Sequence, residues 1–222
     1  MAIMLLESFK SERLGMAWDS LCGRDLLRPT IRRASSIAQG GQRGDTPSLE
    51  ELQRLLWTRA RPMGHVDEVW PNLYVGDLYV ARDKAQLSKM GISHVVNAAA
   101  GRFHLNTGPK FYRDLPVDYY GVEAEDNPNF DLSIYFYPVA RYIRAALNTP
   151  RGKVLVHCAM GISRSATLVL AFLMICEDMS LADAIQAVRS HRGICPNSGF
   201  LEQLRELDLR LRKEKCAGAG IC

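Results

Sequence analysis

"KVLVHCAMGISRSATLVLAFLM", residues 153–174, carries the most informative pattern in this chain. Its first residues, Lys153 to His157, form a short apolar run of the kind that makes a buried parallel strand. From Ser165 onward the sequence is apolar on almost every side of a helix, which indicates a central helix. A buried strand that passes through a short loop into a buried helix is typical of an α/β fold.

The loop between this strand and this helix carries residues suited to chemistry. At such a junction the first backbone N–H groups of the helix and the positive end of its dipole face one point, where an anion binds. Gly161 allows a tight turn, because glycine adopts positive φ without steric cost. Arg164 can hold phosphate oxygens in a forked geometry. The same field lowers the pKa of the Cys158 thiol, so the loop is expected to bind a phosphoryl group and to attack it with the thiolate.

The alternative interpretation of Cys158 and Arg164 is purely structural. An isolated cysteine and arginine at this spacing would usually be a small buried residue and a surface residue of a helix. Here the apolar strand before the loop, the apolar helix after it and the glycine inside it all agree with an anion-binding loop. The functional interpretation is therefore favoured.

The composition is that of a soluble globular protein. Of the 222 residues, 47% are hydrophobic and 23% are charged, which allows one sizeable domain and an extension. The net charge of +4 comes from interspersed basic and acidic residues, so neither nucleic acid nor a membrane is expected as a partner. The longest apolar run, residues 166–176, is shorter than the roughly 20 residues that a membrane helix needs.

Cysteine usage predicts a reduced protein without a metal. The six cysteines show no C-x-x-C spacing, and no histidine cluster lies near them. The N-terminal sequence lacks the basic lead and the apolar core of a secretory signal. We therefore expect no disulfide framework, no cofactor and no metal site, and a cytoplasmic location that can extend to the nucleus.

Composition also divides the chain into three segments. Residues 1–46 are rich in Gly, Ser and Arg and are predicted to form a flexible N-terminal extension. Order is expected to begin near Ser48, which matches a capping box with Glu51. Residues 47–213 are predicted to form the domain that carries the loop, and residues 214–222 a flexible C-terminal tail.

Strand and helix patterns alternate through residues 47–213. Strands are predicted in NLYVGD, ISHVVNAA, DYYGVEA and KVLVHC. One helix is predicted over ARDKAQLSKM and is closed by Gly91, and another over DLSIYFYPVARYIRAALN has Pro138 near its first turn. Two amphipathic helices, in SLADAIQAVRSHRG and SGFLEQLRELDLRLRKE, complete the domain. The predicted fold is α/β, with a central and mostly parallel sheet flanked by helices.

Several motifs resemble those of the cysteine-dependent protein phosphatases. HCAMGISRSA resembles the signature H-C-x-x-G-x-x-R-[ST], and AFLM is similar to the A-Y-L-M of the dual-specificity branch. VWPNLYVGD and CPNSGFLEQL also resemble that branch, and the likeness is greatest to its small atypical members of muscle and testis type. The resemblance covers about residues 65–212. It implies a protein-tyrosine-phosphatase-like fold and the hydrolysis of phosphotyrosine and phosphoserine or phosphothreonine monoesters through a cysteinyl-phosphate intermediate.

The leaving oxygen of such a reaction requires a proton, which a carboxylic acid above the loop would supply. Glu123, Glu125, Asp126 and Asp131 all lie in the segment GVEAEDNPNFDLS, and their spacing leaves the choice open. The resemblance implies Asp126, which would act as the acid in the first step and as the base in the second. Asp131 is expected to cap the next helix.

The loop chemistry and the resemblance together define the candidate site. The residues predicted to be catalytic are Cys158, Arg164, Asp126 and Ser165. Ser165 is expected to donate a hydrogen bond to the thiolate as it leaves, and its interpretation as a helix N-cap is compatible with this role. His157 is expected to orient the loop. Asn197 resembles the family's asparagine that braces the loop and the acid segment. The residues predicted to bind the substrate phosphate are Ala159, Met160, Gly161, Ile162, Ser163 and Arg164.

The neutral loop predicts phosphoprotein substrates. The five residues between Cys158 and Arg164 include no Lys, Arg or His, whereas inositol-lipid phosphatases of this superfamily tend to carry lysines there. The resemblance further implies components of MAP kinase pathways as candidate partners. The alternative from another class is a phospho-dependent adaptor without turnover, which would usually have lost the cysteine, the arginine or the acid.

Two further hypotheses concern the N-terminal extension. Residues 1–46 would carry a scaffolding function beside a working enzyme. The motif RRAS suits a basophilic kinase that modifies Ser35. Ordinary linker chemistry is the favoured interpretation of that motif.

Overall fold

The computed structural model describes residues 46–57, 63–101 and 107–218. The predicted extension over residues 1–46 lies outside these ranges apart from Thr46, and so does Ser35. Within the described ranges, no helix is long and apolar enough to cross a membrane.

The apolar runs of the sequence form a five-stranded sheet. Its strands are β1 (Val66–Trp70), β2 (Leu73–Gly76), β3 (His94–Asn97), β4 (Asp118–Gly121) and β5 (Val154–His157). The strand order is β1-β2-β5-β3-β4, in which β1 and β2 are antiparallel and the other three pairs are parallel. The mostly parallel sheet predicted from the sequence is therefore confirmed, and β5, buried along its whole length, lies at the centre.

Helices cover both faces of this sheet. In the described part of the chain they are α1 (Leu49–Trp57), α2 (Leu78–Arg82), α3 (Lys84–Met90), a 3-10 helix (Ser133–Tyr135), α4 (Phe136–Leu147), α5 (Arg164–Cys176), α6 (Leu181–Arg189) and α7 (Ser198–Gly218). The capping box predicted at α1 is present, because the Ser48 and Glu51 side chains each bond the other's backbone N–H. Pro138 lies in the first turn of α4, where a missing N–H costs little.

The two faces of the sheet bury different amounts of apolar surface. Val154 and Val156 of β5 point to the larger core, which they share with α4, α5, α6 and α7. Leu155 points to a smaller core with Val80 of α2 and Leu87 of α3. The alternation along β5 therefore places α5 on the larger face, where its residues from Arg164 to Met174 are all buried.

Three details differ from the sequence predictions. Strand β1 (Val66–Trp70) is not among the four predicted strands. The single helix predicted over residues 81–91 is wrong, because Asp83 ends α2 by donating its N–H to the Val80 carbonyl and caps α3 through its carboxylate. At the other end of the domain, α7 continues to Gly218, past the boundary predicted at residue 213. Residues 214–218 of the predicted flexible tail are therefore helical, and Lys215 in this part forms an exposed ion pair of 2.7 Å with Asp178.

Candidate active site

Cys158 directly follows β5 at the carboxyl edge of the sheet and faces the first turn of α5. Its side chain is buried, with an exposed fraction of 1% for the residue. Two donors approach its Sγ: the Gly161 N–H, with N and S 3.2 Å apart, and the Ser165 hydroxyl, with O and S 3.3 Å apart. Both bonds favour the thiolate over the thiol.

The pKa of Cys158 is lowered from its ordinary value. Burial opposes ionisation, but the hydroxyl and the backbone N–H of Ser165, the charge of Arg164 and the N–H of Gly161 together outweigh it. The sequence prediction of a low thiol pKa and the structure therefore agree, and a thiolate is the nucleophilic form of cysteine.

The backbone of the loop is turned so that its carbonyls point away from Cys158. Each carbonyl from residue 158 to residue 163 accepts a hydrogen bond from a group around the loop. The donors, in chain order of the acceptors, are His157 Nδ1, the Leu78 N–H, Arg192 Nη2, Arg192 Nε, the Cys195 N–H and the Thr167 N–H. Because the C=O and the N–H of a trans peptide point in opposite directions, this arrangement turns the loop N–H groups inward. The result is a concave set of donors next to a thiolate.

Arg164 begins α5, and its side chain is 7% exposed. Its Nη1 donates to the Ala124 carbonyl at 3.0 Å, which ties the guanidinium to the irregular segment that follows β4. Its Nε is buried and makes no hydrogen bond with any described residue. Its charge partner is the Asp126 carboxylate, 3.5 Å away, and its unused hydrogen-bonding capacity suits this atom to bind an oxyanion.

Asp126 lies on the segment of residues 123–131, here called the acid segment. Its Oδ1 accepts two hydrogen bonds, from the Ser163 hydroxyl at 2.7 Å and from Asn197 Nδ2 at 3.0 Å. Its Oδ2 lies 3.5 Å from Arg164 Nε. One carboxylate oxygen is thus held in place, and the other faces the arginine at the phosphate loop.

The structure separates Asp126 from the other three carboxylates considered. Glu123 and Glu125 are exposed on the same segment. Asp131 accepts the backbone N–H of Ser133, the first residue of the 3-10 helix, at 3.0 Å. The prediction that Asp131 caps the next helix is wrong, because Leu132 occupies the N-cap position of the 3-10 helix and Asp131 precedes it. Asp126 alone among the four bonds to the phosphate loop in the described structure.

The supporting residues occupy the expected places, with one correction. His157 is fully buried, and its Nδ1 lies 3.4 Å from the Cys158 carbonyl, a long contact that is consistent with orienting the loop. Burial lowers the pKa of His157 to about 4, so it is neutral at physiological pH. The interpretation of Ser165 as a helix N-cap is wrong, because Ser163 occupies the N-cap position.

Sequence reasoning missed two contributions to the site. Ser163 was predicted only as a phosphate-binding loop residue, whereas its hydroxyl bonds Asp126 instead of capping α5. Arg192 was not singled out at all, although its side chain is fully buried against the outer side of the phosphate loop. The position of Ser163, a polar residue directly before the loop arginine, was a signal for its role. Arg192 stands alone in the sequence and gave no such signal.

Comparison with known proteins identifies the family. Residues 73–209 match the family model of the dual specificity phosphatase catalytic domain. The chain belongs to this family. It is 62% identical to human dual specificity protein phosphatase 13B over 197 residues, which cover 88% of this chain and 98% of that protein. This dual specificity phosphatase is thus a protein phosphatase, and its substrates are phosphoproteins.

Solved structures agree with this assignment. The crystal structure of human DUSP28 is 30% identical, with a TM-score of 0.60, and the match covers 69% of this chain and 99% of that one. A mouse dual specificity phosphatase complexed with zinc tungstate is also 30% identical, with a TM-score of 0.60, and covers 71% of this chain and 95% of its own. The protein-tyrosine-phosphatase-like fold is therefore confirmed.

Within the described residues, no group of His, Cys, Asp or Glu is placed to hold a metal ion.

Proposed function

We propose that this phosphatase hydrolyses its phosphoprotein substrates by a two-step mechanism centred on Cys158 and Asp126. The observation that carries the proposal is that the Gly161 N–H and the Ser165 hydroxyl both donate to Cys158 Sγ. Beside them, Arg164 Nε lies 3.5 Å from the Asp126 carboxylate. This arrangement supports the assignment of a nucleophile, a set of anion donors and a proton donor around one position.

In the first step the Cys158 thiolate attacks phosphorus, and the bond between phosphorus and the substrate oxygen breaks. Arg164 and the inward N–H groups of the loop bind the phosphoryl oxygens, on which negative charge is redistributed. The protonated carboxyl of Asp126 gives its proton to the leaving oxygen, because an alkoxide or phenoxide leaves poorly without one. Oδ2 suits this role, since Oδ1 is occupied by Ser163 and Asn197.

In the second step water attacks the phosphorus of the cysteinyl-phosphate. The Asp126 carboxylate takes a proton from this water, the sulfur–phosphorus bond breaks, and the electron pair returns to Cys158 as a thiolate. The Ser165 hydroxyl, 3.3 Å from Sγ, stabilises that thiolate and makes it a better leaving group. Inorganic phosphate is released, and Asp126 is again protonated.

The test is the hydrolysis of a small aryl phosphate across pH, without added metal. Cys158→Ser is expected to abolish turnover. Asp126→Asn is expected to lower kcat by about 10²- to 10³-fold and to lose the basic limb of a bell-shaped profile. Glu125→Gln, on the same exposed segment, is the matched control and is expected to keep the wild-type profile.

The same experiment decides between the proposed mechanism and the adaptor. If the wild-type protein binds phosphate but never hydrolyses the ester, the loop is a reader of phosphate and the catalytic roles fail. If Glu125→Gln loses the basic limb and Asp126→Asn keeps it, the assignment of the acid fails while the nucleophile stands.

We further propose that components of MAP kinase pathways are among the substrates. Family membership is the support for this proposal. It is tested by incubating the wild-type enzyme with a doubly phosphorylated MAP kinase and following the loss of phosphate from tyrosine and threonine separately. Slower hydrolysis on the folded kinase than on an unrelated phosphopeptide would argue against it.

We also propose a cytoplasmic location that extends to the nucleus. The support is that the thiols of Cys158, Cys195 and Cys216 are free, as expected in a reducing compartment. Fractionation of cells that express the full chain tests this, and recovery in the secreted fraction would contradict it.

A further inference from the structure

Arg192 is the largest fully buried side chain of the described structure, and it lies in the loop that follows α6. Its Nη1 forms an ion pair of 2.6 Å with Asp67 of β1 and donates to the Gly64 carbonyl at 2.9 Å. Burying a guanidinium is costly unless it is paired and hydrogen-bonded. Because the Arg192 side chain has an exposed fraction of 0%, we looked for a function that its burial serves.

The other side of the same guanidinium holds the phosphate loop. Arg192 Nε donates to the Gly161 carbonyl at 2.8 Å, and Nη2 donates to the Met160 carbonyl at 3.2 Å. These are two consecutive carbonyls on the outer side of the loop, and both are bound by one rigid planar group. A guanidinium suits this task because its donors are fixed in a fork, whereas an ammonium is a single point.

Peptide geometry carries the effect from the outer side of the loop to the thiolate. The Met160 carbonyl and the Gly161 N–H belong to the same planar peptide and point in opposite directions. When Arg192 holds the carbonyl outward, the N–H points inward, and it donates to Cys158 Sγ at 3.2 Å. In the same way, the bond to the Gly161 carbonyl fixes the direction of the Ile162 N–H.

The conformation of Gly161 fits this close approach. Its φ is +68°, and a Cβ at this position would lie 2.6 Å from Arg192 Nη2 and 2.5 Å from the Gly76 carbonyl oxygen. Glycine is therefore required both by the backbone angle and by the guanidinium that packs against it. The loop and Arg192 thus form one closely fitted unit.

We propose that Arg192 is a positioning residue for catalysis, which aims the N–H of Gly161 at Cys158 and the loop donors at the substrate phosphate, with Asp67 as its fixed counter-ion. This inference rests on the proposed function of the loop. Arg192 acts entirely through the backbone of Met160 and Gly161, and it lies outside the set of groups that touch the phosphate. Its removal leaves the nucleophile, the acid and Arg164 in the chain but releases the peptide planes that orient the donors.

The experiment compares Arg192→Met and Arg192→Lys with Arg144→Met. Arg144 makes the same kind of contacts, to the Cys176 carbonyl at 2.6 Å and to Glu177 at 2.7 Å, but at the far end of α5. Because α5 has 13 residues, this control lies about 20 Å from the loop. The readouts are the pH dependence of iodoacetamide alkylation of Cys158, the inhibition constant of tungstate, and kcat and KM for an aryl phosphate.

Arg192→Met is expected to shift the alkylation profile of Cys158 to higher pH, to weaken tungstate inhibition about tenfold, and to lower kcat/KM about 100-fold. Arg192→Lys is expected to be intermediate, since it keeps the charge but not the fork. Arg144→Met is expected to lower the melting temperature while leaving the alkylation profile and tungstate inhibition at wild-type values.

The inference is overturned if Arg192→Met lowers the melting temperature but keeps the wild-type alkylation profile and tungstate inhibition. If Arg192→Met does not fold, Asp67→Asn takes its place, because it loosens Arg192 without removing it. For Asp67→Asn we expect the same changes in the alkylation profile and in tungstate inhibition, but smaller. If both stay at wild-type values, the inference is overturned. A wild-type Cys158 that alkylates with an ordinary thiol profile would instead contradict the proposed function itself.

Discussion

The phosphate loop and the acid segment face the same position, but they are held in place differently. The loop from Cys158 to Arg164 is fixed through its backbone, because each carbonyl from residue 158 to residue 163 is bonded to a surrounding group. The acid segment lies mostly at the surface, and the Asp126 carboxylate is held by two side chains, Ser163 and Asn197. The phosphate loop is thus preorganised by its backbone, whereas the Asp126 carboxylate is attached to it by side-chain hydrogen bonds.

This difference separates binding from proton transfer. A change that disturbs the loop backbone is expected to affect the thiolate, the anion donors and turnover together. A change that loosens the acid segment is expected to affect proton transfer to the leaving group and to leave oxyanion binding intact. Tungstate, which relies on the loop donors, and an alkyl phosphate ester, which relies on the acid, therefore report on the two regions separately.

The largest effect is expected from Gly161→Ala in the phosphate loop. The new Cβ would lie 2.5 Å from the Gly76 carbonyl oxygen, and the φ of +68° is unfavourable for alanine. We expect kcat/KM to fall by at least about 100-fold and tungstate inhibition to weaken in parallel. Gly108→Ala, where no atom lies within 4 Å of the added Cβ, is the control. Tungstate inhibition at the wild-type level would show that the loop is not the rigid element described.

A smaller effect is expected from Gly199→Ala, which acts on the acid segment. Alanine in place of glycine normally stabilises a helix, but here a Cβ would overlap the carbonyl group of Pro128. We expect the segment to move, kcat for a phosphoserine peptide to fall by about tenfold, and tungstate inhibition to stay unchanged. An equal loss in both measurements would remove the distinction between the two regions.

The clamp on Asp126 gives a weaker effect that tests its redundancy. Ser163→Ala and Asn197→Ala each remove one donor to Oδ1, and each is expected to lower kcat about fivefold, since one hydrogen bond contributes about 1 kcal/mol. The double variant is expected to lose more than the product of the two, because either donor alone still holds the carboxylate. A double variant that matches the product would indicate two independent effects. Melting temperatures identify any contribution from the Asn197 cap on Phe200.

The last prediction concerns His157 and the pH dependence of stability below neutral pH, not activity at neutral pH. Burial lowers its pKa to about 4, against the opposing influence of the Cys158 carbonyl and Asp77, from an ordinary value of 6.5. Between these two pH values the unfolded chain binds a proton that the folded chain does not. The free energy of unfolding should therefore fall by about 3 kcal/mol as the pH drops from 6.5 to 4. Urea unfolding checks this, and the same pH slope in His157→Asn would contradict it.

Sequence reasoning predicted the loop better than its surroundings. Cys158, Gly161, Arg164 and Ser165 are contiguous, so one strand, one turn and one helix brought them together. Asp126 was different, because its segment holds four carboxylates and only the family resemblance selected it. In the structure Asp126 differs from the other three by accepting hydrogen bonds from Ser163 and Asn197.

Arg192 and the break at Asp83 were beyond sequence reasoning for two separate reasons. Arg192 is one of 28 basic residues, and its burial depends on Asp67, which lies 125 positions earlier in the chain. No local pattern records such a pair. At Asp83 the local pattern was present but ambiguous, since an aspartate in a helical stretch can either point to solvent or end one helix and cap the next.

The ion pair between Arg192 and Asp67 has a consequence for how the protein folds during and after its synthesis. Contacts between residues that are distant in the chain form late, because the intervening chain must first be ordered. The ribosome must have released Arg192 before this side chain can bind the carbonyls of Met160 and Gly161. We therefore expect Cys158 to reach its full sensitivity to peroxide only after Arg192 has packed against the loop.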